Sequence, residues 1–153
     1  MKTIVIPSDF SMESVQVAET IVRNETADLK IIFTHLFHVA DDIQDLLFSN
    51  YRKKEYEFVS DEFRREIKML KDLHPHLKAV RTEFFYGSKL AAFKNFLDYN
   101  DAVAIAYSES YGVPKLSKSS IEAMPVVKKA GLKLIDTDQI NKAAFSDVGQ
   151  KQL

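Results

Sequence analysis

Residues 2–11 read KTIVIPSDFS, and this decapeptide sets the frame for the rest of the chain. Thr3 to Ile6 is apolar or β-branched throughout and runs into Pro7-Ser8-Asp9. An unbroken apolar run closed by a turn marks a strand covered on both faces, because a half-exposed strand alternates. A helix is expected next. Ser11 stands as its N-cap, and Glu13 in the first turn suits the positive end of the helix dipole. Val15, Ala18 and Val22 then form a buried stripe at spacings of three and four.

The alternation continues outward from there. Residues 30–38 (KIIFTHLFH) predict a second strand. Residues 42–73 are highly charged, with Val59, Phe63, Ile67 and Leu70 on one helical face. Nine acidic and nine basic residues lie between Asp41 and Arg81, the balance of a solvated, ion-paired face rather than a binding patch. His74-Pro75 ends that helix, since the residue before proline is pushed out of the α region. A third strand over 79–85 stops at Gly87, and Ser88 caps a helix reaching Tyr99 with Leu90, Phe93 and Leu97 as its stripe. AVAIA at 102–106 is a fourth strand. A loop with Gly112 and Pro114 follows, then a helix for which Ser119 and Glu122 have capping-box spacing. Pro125 inside it predicts a kink or a late start. Gly131 precedes a fifth strand over 132–135. Residues 137–153 read as a polar C-terminal tail with one short helix over 139–145. Strands alternating with helices require parallel pairing and right-handed crossovers. The expected fold is therefore α/β: one doubly wound, five-stranded parallel sheet with helices on both faces, spanning residues 1–136.

Composition narrows the chemistry. The chain has 153 residues, of which 46% are apolar, enough for a core without covalent staples. It has no cysteine, so disulfides, thiolate metal sites and cysteine nucleophiles are excluded together. A net charge of −1 argues against a general nucleic-acid binder. With no long apolar run and no basic-then-apolar leader, no membrane association and a cytoplasmic location are expected.

In this order and spacing, KTIVIPSDFS, the strand ending His38-Val39, the strand ending at Gly87 and the stretch Asp101-Ala102-Val103-Ala104-Ile105 resemble the universal stress protein (UspA-like) family. The resemblance covers about residues 1–136 and implies an adenine nucleotide alpha hydrolase-like sheet in the order 3-2-1-4-5, usually paired as a homodimer through its last strand. It also implies a ligand crevice above the carboxyl ends of strands one and four, where such sheets open. Asp9 matches the family's acidic position there, and Val39 falls near its base-contacting stretch. The glycine-rich phosphate loop is degenerate. Ala106, Glu109 and Lys118 stand at its glycine positions, while Ser119, followed by Ser120, keeps the hydroxyl. Phosphate cradles use glycine so that bare backbone N–H groups can close on the oxygens. A glutamate brought to about 4 Å of a phosphate costs about 4 kcal/mol at an effective dielectric near 20, roughly a thousandfold in affinity. Lys115 and Lys118 offset this only if they turn inward.

Each candidate has a plainer reading. Asp9 suits an Asx turn as well as a ribose or base contact. Ser119 and Ser120 suit helix capping as well as phosphate binding. His35 and His38 face opposite sides of one strand, and His74 and His76 lack a third ligand, so no metal site is expected. Tyr107 and Tyr111 flank the degenerate loop and are expected to plug the space of a missing ligand rather than roof a bound one. Phe37, Leu46, Leu47, Phe48 and Tyr51 read as core. No catalytic constellation stands out. The expectation is a non-catalytic stress-response or regulatory module that acts through dimerisation and a protein partner, with no cofactor and with ATP binding weak or lost. The alternative is a sensor that binds ATP or AMP in the crevice beside Asp9. An enzyme of nucleotide transfer or phosphate hydrolysis is the least favoured class.

Overall fold

The computed structural model describes residues 1–38, 57–87 and 89–151, with side chains through residue 144. The element order is β1 (Lys2–Pro7), α1 (Met12–Asn24), β2 (Leu29–Phe37), α2 (Asp61–Leu73), β3 (Leu77–Tyr86), α3 (Leu90–Tyr99), β4 (Ala102–Tyr107), α4 (Ala123–Lys128), β5 (Lys133–Asp136) and α5 (Thr137–Lys151). The five strands form one sheet in the order β3-β2-β1-β4-β5, and every pairing is parallel.

Strand periodicity divides the core in two. Ile4 and Ile6 of β1, Ile31 and Phe33 of β2, and Ala104 and Ala106 of β4 face one layer, where α1 and α2 deliver Val15, Ala18, Val22, Phe63 and Leu70. The intervening residues Val5, Ile32, Leu36 and Ile105 face the other layer, against Phe93 and Leu97 of α3 and Ala123 and Val127 of α4. The apolar runs are unbroken because both faces of the central strands are covered.

Most element ends follow local chemistry. Ser11 is the N-cap residue of α1, but its side chain makes no capping bond. Ser60 caps α2 by accepting the Phe63 amide at 3.1 Å. Three expectations differ from the structure, and the late start predicted from Pro125 holds. The N-cap residue of α3 is Lys89, not Ser88. The Ser119–Glu122 capping box does not form. The N-cap residue of α4 is Glu122, so Pro125 falls in the first turn, where a missing N–H costs nothing. The C-terminal helix runs over Thr137–Lys151 instead of 139–145, and Thr20 of α1 donates to Asn141 at 3.3 Å. Gly131 sits at φ +84°, past the end of α4, in the left-handed region that glycine enters without strain. Val39, Leu46, Leu47, Phe48, Tyr51 and Ser88 lie outside the described residues. No described helix is long and apolar enough to cross a membrane.

Candidate functional site

In an open parallel sheet the natural crevice lies at the carboxyl ends of the strands where the order reverses, here between β1 and β4. The chain after β4, residues 108–122, runs across this end of the sheet. It crosses the tip of β1 and reaches the end of β2 before α4 begins. Along this strap two side chains make the decisive contacts.

The first is Tyr111. Its hydroxyl donates to the Asp9 carboxylate, accepts the Asp9 backbone amide at 3.0 Å and lies 3.3 Å from the Ser11 hydroxyl. Asp9 also accepts the Ser11 amide at 3.1 Å, an Asx turn. One oxygen of that carboxylate, Oδ1, is therefore engaged twice from within the chain. Burial, followed by the Asp9 hydrogen bond, pushes the Tyr111 phenol well above its ordinary range, so it stays a neutral donor. Phe10 at φ +62° and Val113 at φ +49° flank this contact on its two sides, and neither is a glycine. Such backbone costs about 1–3 kcal/mol per residue and survives only where the surroundings over-determine it. Here burial of both side chains supplies the constraint, with Phe10 in one core layer and Val113 in the other.

The second contact is Ser120 with His35. His35 is 2% exposed. Its Nδ1 lies 2.7 Å from the Ser8 carbonyl and its Nε2 lies 2.7 Å from Ser120 Oγ. A carbonyl only accepts, so Nδ1 carries the proton, Nε2 is bare, and the Ser120 hydroxyl donates to it. Ser120 Oγ accepts the amides of Leu116 at 3.0 Å and Ser117 at 3.2 Å. Desolvation lowers the His35 pKa, partly opposed by the Ser8 hydrogen bond and the charge of Asp9, a direction that agrees with the single proton the hydrogen bonds assign. The pair has the geometry of a nucleophile and its base, but the hydroxyl is 2% exposed and already accepts two amides. It is a structural tie. The backbone extends it: His38 N–H donates to the Ser119 carbonyl at 2.7 Å and Ile121 N–H to the Leu36 carbonyl at 2.8 Å.

The other sequence candidates do not converge on this crevice. Ala106 is a fully buried residue of β4, in register with Ile135 of β5. Glu109 is exposed and pairs with Lys128 of α4 at 2.8 Å. Lys115, Lys118 and Ser119 are exposed. Tyr107 ends β4, and its carbonyl accepts the Thr137 hydroxyl at 3.1 Å. Asp138 was not anticipated. Its carboxylate accepts the Ser108 hydroxyl at 2.7 Å and the Ser110 amide at 2.8 Å, anchoring the start of the strap to α5. Burial alone would raise this carboxyl, and those hydrogen bonds outweigh it and hold it low. An open cleft of about 250 Å³ remains outside Tyr111, lined by Glu13, Gln16, Ser110, Tyr111, Asp138 and Asn141. Its two carboxylates make it a poor seat for a polyphosphate. Among the described residues, no three His, Asp or Glu side chains group as a metal site.

No family model matches the sequence, and no curated protein matches it. Solved structures do. The universal stress protein UspA from Lactobacillus plantarum superposes with a TM-score of 0.58 at 16% identity, over 88% of this chain and 96% of that one. A universal stress protein family member from Burkholderia pseudomallei gives 0.53 at 10% identity, over 88% and 94%. A hypothetical protein gives 0.53 at 17% identity, also over 88% and 94%. At these identities the likeness speaks for the fold, and it establishes the universal stress protein fold that the sequence resemblance implied.

Proposed function

We propose that this chain is a non-catalytic stress-response or regulatory module, acting through a second copy of itself or a protein partner, whose nucleotide crevice is closed by its own strap. The observation that carries this reading is the Tyr111–Asp9 contact, in which a side chain of the strap engages the acidic residue at the crevice. The electrostatics agree. The carboxylates of Glu13 and Asp138 line the remaining opening, and Lys115 and Lys118 are exposed and are not among its lining residues. The site positions assigned from the resemblance are Asp9, Val39, Ala106, Glu109, Lys118, Ser119 and Ser120. In this reading they are remnants of a binding loop, with Asp9 and Ser120 reused to hold the strap.

A homodimer through the outer edge of β5 fits the same reading. Val103 and Leu134 are exposed at 50% and 36%, and an uncovered strand edge favours pairing. A cytoplasmic location is part of the same proposal. The alternative, an adenine-nucleotide sensor, requires ATP or AMP to displace Tyr111 from Asp9. Calorimetric titration with ATP and Mg²⁺ separates the two: no heat of binding is expected at micromolar concentrations, and micromolar affinity would overturn the closed-crevice reading. Light scattering tests the dimer, and a monomer at high concentration removes it.

A further inference from the structure

We infer that the His35–Ser120 pair is an acid-sensitive latch, which holds the strap over the end of β2 near neutrality and releases residues 116–121 when the imidazole takes a second proton. The inference rests on the geometry of the network and not on the functional reading above. Each hydrogen in the network has one permitted direction. Nδ1–H is committed to the Ser8 carbonyl, Ser120 O–H to Nε2, and the amides of Leu116 and Ser117 to Ser120 Oγ. A proton on Nε2 reverses the central bond. The Ser120 hydroxyl then loses its acceptor, and its oxygen must receive a third donor where two already sit. The tie between β2 and the strap becomes a clash of donors.

The surroundings favour release over accommodation. Phe37 of β2 lies with its ring centroid 4.7 Å from that of His35, Phe10 at 6.4 Å, and Phe84 of β3 packs against both phenylalanines. The one charged group facing the ring among the described residues is Asp9, from the turn after β1, and its carboxylate is already engaged by Tyr111 and the Ser11 amide. Lys115 and Lys118 of the strap are exposed and His38 lies at the exposed end of β2. An imidazolium held here would sit among aromatic rings with a single, shared counter-charge. Freed from Ser120, the strap keeps Tyr111 on Asp9 but gives up the two backbone bonds at His38 and Ile121, uncovering Leu116, Ile121 and the end of β2. The surface at the carboxyl end of the sheet would thus depend on pH.

The sign follows from linkage. The closed state holds His35 neutral below its ordinary range, whereas the open state titrates near 6.5. The open state therefore binds more protons as pH falls below about 6.5, and opening rises by up to about tenfold per pH unit until the closed state protonates. Amide hydrogen exchange on the full chain between pH 7.5 and 5, corrected for intrinsic rates, reads this directly. The amides of Leu116, Ser117, Ile121 and His38 should lose protection together below pH 6.5, while those of Val5, Ile32 and Ile105 hold theirs. Strap amides flat with pH would overturn the latch, as would core amides changing in parallel, since that is global unfolding. In Ser120→Ala the strap amides should exchange fast at every pH, and a retained pH slope in that variant would also refute it.

Discussion

Replacing Tyr111 by phenylalanine removes one oxygen and leaves the ring to fill its space. That oxygen accepts the Asp9 amide and donates to the Asp9 carboxylate, so both groups lose a partner. A hydrogen bond to a charged group contributes about 1.5–3 kcal/mol. Asp9 and Tyr111 are only half-buried, so water takes over part of the role, and the expected loss is about 1–2 kcal/mol. For a chain of this length that lowers the thermal midpoint by about 2–8 °C at roughly 2–4 °C per kcal/mol. A second signature is independent of that magnitude. The folded phenol titrates above its ordinary value while the unfolded one titrates near 10, so folding favours the protonated form. This contribution is fully present below about pH 10 and is lost as pH rises beyond it. Melts of wild type and Tyr111→Phe at neutral and alkaline pH check both points. A variant melting within about 1 °C of wild type at pH 7 would refute the claim that this hydroxyl holds the strap on Asp9.

Two further substitutions probe the rest of the architecture. Thr34 is fully buried in β2, and among the described residues its hydroxyl has no hydrogen-bond partner, so Thr34→Val should raise stability by about 1 kcal/mol in a denaturant titration. Asp138→Asn keeps the shape of the strap's anchor but removes its charge, and should cost about 1–2 kcal/mol at pH 7. Because the Asp138 carboxyl is held below its ordinary value, the wild-type advantage belongs to pH above about 4 and should close as pH falls through the lowered value, which melts across that range will show.

The fold was legible because its signals are local. Unbroken apolar runs such as residues 3–6 and 102–106 marked strands covered on both faces. The stripes at Val15, Ala18 and Val22, and at Phe93 and Leu97, marked the helices that cover them. Pro125 marked the late start of α4 for the same kind of reason. The Ser119–Glu122 spacing misled because the backbone there is engaged elsewhere: Ser119 and Ile121 pair with the end of β2, and the helix cannot begin until that pairing ends. The length of α5 was missed because its polar pattern carries little periodicity, and the Thr20–Asn141 contact joins residues remote in the sequence. At the site, the Asx turn at Asp9 was readable. The engagement of Asp9 by Tyr111 was not readable. His35 was read only as a metal ligand to be dismissed.

By itself, then, the amino-acid order determined the succession of strands and helices and the two-faced burial of the sheet. Both are properties of neighbouring residues and their spacing. Tertiary structure alone decided what became of the crevice. Tyr111 meets Asp9 across 102 positions and Ser120 meets His35 across 85, and no local pattern encodes such pairings. They form because a parallel sheet brings the carboxyl ends of β1, β2 and β4 to one rim, where buried donors and acceptors must find one another or go unsatisfied.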